Sequence, residues 1–237
     1  MLSVRSNQKE QMDNFELSGK ELNETLSGLT FINKYLGNTA ATFKAVKTEI
    51  AKAHQTLKIL DLGCGGGDNL RAIAKWCSIN NKSIELIGLD GNAHILEYAK
   101  KLNNKSLTIK YLQADILDST FELPKCDILI SSHFMYHFSD IELVQFLKKS
   151  NNKVSTKIIF SELKRSYLAY SLFKIGSILL PFSKIVMQDG LLAIKRAFTK
   201  KEITSILHQA DLIDYEIHRK WLFRFLISIP VKDKAID

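Results

Sequence analysis

Leu57-Lys58-Ile59-Leu60-Asp61-Leu62-Gly63-Cys64-Gly65-Gly66-Gly67-Asp68 decides the fold of this chain. The apolar run through Ile59, Leu60 and Leu62 reads as a buried parallel strand. It breaks into four glycines within five positions, and behind them Leu70, Ile73, Ala74 and Cys77 recur at helical spacing. The order is strand, glycine turn, helix. Such a turn lets the backbone take positive φ and brings it close to a ligand, while the helix start offers unpaired N–H groups. A dinucleotide fingerprint would place a third glycine where Asp68 stands. An acid at the strand end, Asp61, and another at the helix start, Asp68, suit a ligand with cationic groups better than a pyrophosphate.

Outward from this turn, strand and helix alternate. Ile84–Asp90 reads as a second strand with an acidic end, about one β-α-β step after Asp61. Asp90 there can accept from two vicinal ribose hydroxyls, or it can cap the helix from Asn92 to Leu102. A third strand near Leu107–Leu112 leads to Asp115 and Ile116, placed for an adenine amine and ring face; a turn-capping role for Asp115 reads equally well. Cys126–Ile130 is a fourth strand running into Ser131-Ser132-His133-Phe134-Met135-Tyr136-His137, and Lys157–Ser161 is a fifth. Ser139 with Glu142, and Thr199 with Glu202, are capping boxes that open helices. Residues 212–219 and 221–228 read as a closing antiparallel hairpin. The class is α/β, a doubly wound, mostly parallel sheet, whose ligands bind outside the carboxyl ends of the strands.

Two helices precede this core: Lys20–Leu36, stopped by Gly37, and about Thr39–Ala53. They either cover a sheet face or roof the ligand cleft. Residues 1–18 are polar and read as loose. After the fifth strand, Leu168, Leu172, Ile175 and Leu179 form an apolar helical stripe ended by Pro181. The stripe is expected to pack on the first two helices as a cap, with a seat on a membrane surface as the other reading. The expected division is a helical lead (1–54), a cofactor-binding core (55–163), a helical cap insertion (164–195) and closing elements of the same core (196–237).

The net charge is +8, but the lysines are scattered, which favours a solvated surface over a nucleic-acid face. Nucleic acid therefore ranks below a small molecule as partner. The three cysteines have no metal-ligand spacing and an odd count, so no metal and no disulfide framework are expected, and a reduced cytoplasmic compartment is. No signal peptide and no apolar stretch of about 20 residues is read, which leaves only peripheral membrane contact open. The oligomeric state is not legible.

Asp61, Gly63, Gly65 and Gly67, then Asp90, Asp115 and the stretch Cys126–His137, resemble the successive motifs of class I S-adenosylmethionine-dependent methyltransferases. The resemblance implies a seven-stranded Rossmann-like sheet with its last strand antiparallel, and S-adenosylmethionine as cofactor with S-adenosylhomocysteine as product. It would put Asp61 and the glycines around the methionine part, Asp90 and Gly91 at the ribose, Asp115 and Ile116 at the adenine, and Ser131 and Ser132 near the sulfonium. Gln11-Met12-Asp13, Glu162–Ser166, Asp189-Gly190, Arg196–Thr199 and Trp221–Arg224 are similar to a bacterial group of small-molecule methyltransferases that often neighbour polyketide, aromatic pigment or quinone pathways. A small-molecule acceptor is then expected, most simply an oxygen of a phenolic, polyketide-like or carboxylate-bearing compound.

Methyl transfer to a phenol can require a base. His137 is the first candidate and His133 the second; each can equally pack beside the following helix. Arg165, Arg196 and Arg224 are candidates to hold an anionic acceptor, with the alternative that they are ordinary surface arginines. The region after the fourth strand lacks an Asn/Asp-Pro-Pro-aromatic motif and a cysteine, which disfavours nucleic-acid base methylation. RNA or protein methylation, a non-catalytic cofactor-binding subunit, and a nicotinamide oxidoreductase remain as alternatives.

Overall fold

In the computed structural model, residues 2–103, 107–118, 120–179 and 182–231 are described. The elements run α1 (Gly19–Tyr35), α2 (Asn38–Lys52), β1 (Leu57–Leu62), α3 (Asp68–Ile79), β2 (Ile84–Asp90), α4 (Ala93–Leu102), β3 (Lys110–Gln113), β4 (Cys126–Ser132), α5 (Asp140–Ser150), β5 (Val154–Leu163), α6 (Tyr167–Leu179), α7 (Lys184–Arg196), α8 (Lys200–Gln209), β6 (Glu216–Lys220) and β7 (Arg224–Pro230). One-turn 3-10 segments occupy Gln11–Asp13 and Met135–His137.

The sheet has seven strands in the order β3-β2-β1-β4-β5-β7-β6. β1 is parallel to β2 and β4, β4 is parallel to β5, and only β7 runs against its neighbours. The order in which strands are added reverses between β1 and β4, so a crevice opens beyond their carboxyl ends. Strand periodicity sorts the side chains into two layers. Leu60, Leu129, Ile158 and Phe160 join one core cluster with α5 and α8, while Ile59, Ile128, Ile130 and Ile159 join the other with α2 and α3. Burying each such side chain stabilises the fold by roughly 1.5–3 kcal/mol.

The two leading helices divide the roles expected of them. Val46 and Ile50 of α2 pack into the second cluster on the sheet. Leu26, Leu29 and Ile32 of α1 instead line the cavity at the strand ends. Gly37 ends α1 with φ 79° and also serves as the N-cap of α2. Both capping boxes form, at Ser139–Glu142 and Thr199–Glu202.

Two expectations are corrected. Residues 2–18 are held in place rather than loose. The Asp189 carboxylate accepts from the backbone N–H groups of Gln11 and Met12, each at 3.0 Å, and Arg5 donates to Phe138 O at 2.8 Å. These partners come from distant elements and leave no periodic trace in the sequence. The stripe Leu168, Leu172 and Ile175 does not pack on the first two helices but faces outward, 58%, 52% and 59% exposed. α6 packs on α7 through the opposite side, with the Phe173 ring against Gly190, and it is α7 that meets α1. The expected stop at Pro181 lies outside the described residues, as does the Leu179 side chain.

Candidate functional site

A cavity of about 510 Å³ opens at the carboxyl ends of β1, β2 and β4, beneath α1 and α7. That volume lies within the usual range for small-molecule sites. The glycine turn forms its floor. Gly63 has φ 60°, and a Cβ there would stand 2.4 Å from the Phe134 ring, so this position joins β1 to the loop after β4. Gly65 has φ 52°, and a Cβ there would meet nothing within 4 Å, which leaves room for a ligand against the backbone. Gly67 is the N-cap of α3, covered by the Tyr111 hydroxyl, and does not line the cavity.

Acceptor groups crowd this floor. Asp90 receives Gly65 N–H on Oδ2 at 3.0 Å and Asn92 N–H on Oδ1 at 3.1 Å. Its carboxyl faces the cavity region in an orientation set by backbone donors, and burial raises its pKa above the ordinary value. The cap of α4 is Asn92, which accepts from His94 N at 2.8 Å, so Asp90 is not used as that cap. Asp61 is buried, with Oδ2 lacking a partner, and desolvation pushes its pKa well up. It sits behind the turn rather than on the cavity wall. Asn69 lines the wall and has an unpartnered, buried Oδ1. Asp68 accepts from Thr30 Oγ1 at 3.0 Å and is paired to Arg71. Gly91, under the Phe15 ring, and Asp115 and Ile116 also line the cavity. Asp115 makes a local turn, accepting Leu117 N–H at 2.9 Å.

Of the two serines after β4, Ser132 lines the cavity and accepts from Asn69 Nδ2 at 3.2 Å. Ser131 does not; it is buried and donates to Leu62 O at 2.9 Å. Beyond them the chain turns sharply. His133 takes φ 56°, an uncommon conformation for a residue with a Cβ. Glu162 fixes the next turn: its Oε1 accepts Phe134 N–H at 2.9 Å and Met135 N–H at 3.0 Å. Burial pushes the Glu162 carboxyl up to about 7, partly offset by those two donors.

This turn presents His137 to the cavity. Its Nδ1 meets Asp13 Oδ1 at 2.7 Å. The other oxygen of Asp13 accepts from Arg196 at 2.8 Å. Burial alone would raise the Asp13 carboxyl, but the hydrogen bond and charge of His137, with Arg196, outweigh it and hold it well below the usual range. Glu10 closes the cluster, 3.7 Å from Arg196, and burial pushes it up to about 8. Ligand-type atoms of Glu10, Asp13 and His137 lie within 4.8 Å of one another, but Arg196 already supplies the positive charge among them.

The three candidate arginines separate. Arg165 lies outside the cavity, its donors consumed by Leu2 O, Ala197 O and Glu202 at 3.0, 2.7 and 2.6 Å. Arg196 lines the cavity but is committed to Asp13. Arg224 lines the cavity, is buried, and has no carboxylate partner among the described residues. It donates to Leu36 O at 2.6 Å and to His133 Nε2 at 3.3 Å, and burial pushes its pKa down to about 10. Burial, then the charges of Arg224 and His137, lower His133 well below an ordinary histidine, which keeps its Nε2 an acceptor.

Sequence reasoning missed Asp13 and Glu10 as cavity residues, because isolated acids in a polar stretch carry no spacing signal. It also missed Asn69, whose place follows from α3 starting directly at the glycine turn.

Residues 59–155 match the model of a family described as a methyltransferase domain. Among curated proteins, the ubiquinone biosynthesis O-methyltransferase of Actinobacillus pleuropneumoniae serotype 7 is 31% identical over 127 residues, 51% of each chain. That of Coxiella burnetii is 27% identical over 136 residues, 56% of each chain. The chain thus spans about half the length of the curated relatives it matches. Among solved structures, human N-acetylserotonin methyltransferase in complex with SAM aligns with TM-score 0.63 and 14% identity, over 94% of this chain and 63% of that one. Plantazolicin methyltransferase with SAH and a pentazolic analogue aligns with TM-score 0.62 and 16% identity, over 90% and 96%. Magnesium protoporphyrin IX methyltransferase from Synechocystis with bound SAH gives TM-score 0.57 and 16% identity, over 84% and 87%. At these identities the likeness is one of fold.

Proposed function

We propose that this chain, whose residues 59–155 match a methyltransferase domain, transfers the methyl group of S-adenosylmethionine to an oxygen of a small phenolic, polyketide-like or carboxylate-bearing acceptor. The cavity floor fits that cofactor. Open space at Gly65, the unpartnered Asn69 Oδ1 and the Asp90 carboxyl on the cavity wall suit a ligand that brings ammonium, sulfonium and ribose hydroxyl groups. On this reading Asp90 and Gly91 hold the ribose, Asp115 and Ile116 the adenine, and Asn69 with Gly63, Gly65 and Ser132 the methionine end. Asp61, Gly67 and Ser131 support the turn from behind. Residues 1–54 and 164–195 cap the core formed by 55–163 and 196–237.

The cofactor, when bound, supplies an electrophilic methyl on a good leaving group, so this chain's residues chiefly position the acceptor and handle its proton. His137 is the base. Asp13 holds the proton on Nδ1 and leaves Nε2 as the nitrogen that can take the acceptor's hydroxyl proton. Arg196 fixes Asp13. His133 already accepts from Arg224 on its Nε2 and so orients that guanidinium. Arg224, buried without a carboxylate, receives an anionic group on the acceptor. The Asp13–His137 pair on the same cavity as the glycine turn carries this reading.

The test is S-adenosylhomocysteine formation with a panel of phenols bearing or lacking a carboxylate. An active acceptor should emerge, and His137→Asn should lower turnover by about 100-fold or more while cofactor binding stays unchanged. Full activity in the variant would remove His137 as base. Cofactor binding without transfer to any acceptor would instead favour a non-catalytic subunit.

A further inference from the structure

Helix α6 is amphipathic in the wrong sense for a core helix. Its inner side, with Ala169 and Phe173, packs toward α7 and the cavity. Its outer side carries Tyr167, Leu168, Leu172, Ile175 and Ile178, from 52% to 76% exposed. Exposed large apolar residues scattered singly need no explanation, but five on one face of one helix do. Phe31, 43% exposed, extends the surface through its edge contact with Phe182 just beyond α6.

The charge around this face has one sign. From Lys164 to Gln188 the sequence contains Lys164, Arg165, Lys174 and Lys184 and no acid. Arg165 is spent on Glu202; Lys174 and Lys184 are exposed, and Lys34 stands over the neighbouring Tyr35 ring at 5.4 Å. A second copy of this chain would bring like charges together across the apolar stripe. An anionic partner would not. An apolar stripe flanked by lysines and a tyrosine is the pattern of a helix lying in a lipid interface, where apolar side chains enter the acyl boundary and lysines meet anionic headgroups. No described helix is long and apolar enough to cross a bilayer, so the contact is peripheral.

We propose that the outer face of α6 docks the protein on an anionic lipid surface. Since Phe173 on the other side of the same helix lines the cavity, docking sets the cap of the site against the bilayer.

Co-sedimentation of the full chain with vesicles of phosphatidylcholine alone, or with phosphatidylglycerol, tests this. The protein should partition onto the phosphatidylglycerol vesicles, more weakly as salt rises, and hardly at all onto neutral ones. Leu172→Glu with Ile175→Glu should lower the partition coefficient by about tenfold or more, with the circular dichroism spectrum unchanged. Should that pair disturb folding, Ile178→Glu at the most exposed position asks the same question. Unchanged partitioning of the variants would overturn the assignment to this face. Equal binding to neutral vesicles would overturn the anionic partner. Absence of vesicle binding, with a dimer that the variants dissociate, would make the face a contact between copies instead.

Discussion

Arg224 is the residue whose situation demands most. A guanidinium buried with a carbonyl and a neutral imidazole for company keeps uncommitted donors and an unneutralised charge. If it receives an acceptor's anion, Arg224→Gln should raise KM for carboxylate-bearing acceptors about tenfold or more, with a smaller effect on uncharged phenols. Equal effects on both classes would assign it a packing role. Glu162 lends itself to a pH experiment. An acid raised from its ordinary value to about 7 binds a proton in the folded state that the unfolded chain has released, so its contribution to stability falls as pH rises from about 4.5 through 7. Glu162→Gln keeps an oxygen for Phe134 and Met135 and removes the titration. Relative to the parent, the variant should gain melting temperature steadily across that window, as differential scanning calorimetry would read; a difference independent of pH would contradict the raised carboxyl. Asp61, Asp90 and Asp115 were legible as strand-end acids because a parallel sheet must deliver those ends to one edge. The place of Asp13 on the cavity wall was not legible, since its partners His137 and Arg196 meet it only in three dimensions.

At the scale of elements, local signals were reliable wherever backbone groups must be paired. The glycine turn, both capping boxes and the left-handed Gly37 stand where their chemistry puts them. The β6–β7 turn breaks that pattern. Leu222 and Phe223 have φ 57° and 58°, a region that costs a residue with a Cβ roughly 1–2 kcal/mol. This strain sits directly before Arg224, the first residue of β7. Leu222→Gly should relieve part of it and raise the melting temperature by about 2–4 °C. A lower melting temperature would mean that the half-buried Leu222 side chain outweighs the backbone cost. Helix α6 shows where periodicity misleads. An apolar stripe at helical spacing says that one face differs from the other, not which face is covered, and here the covered face is the one with Ala169, Phe173 and Ser177.

For the whole molecule, the doubly wound, mostly parallel class was legible because strands and helices alternate along the chain. The seven strands with a reversed last one were what the resemblance implied, and the sheet has both. The roof over the cavity was not legible, because α1, α7 and the amino-terminal turn are joined by contacts between residues far apart in sequence, such as Asp189 with Gln11 and Met12. The central claim concerns the ligand that this assembled cavity holds. Calorimetric titration of the full chain with S-adenosylhomocysteine, beside Asp90→Asn, tests it most directly. Asparagine keeps the shape but replaces a charge-assisted acceptor, so the account predicts clear binding to the parent and about tenfold weaker binding to the variant. A folded parent that binds no S-adenosylhomocysteine, or a variant that binds it equally well, would contradict the assignment of this cavity.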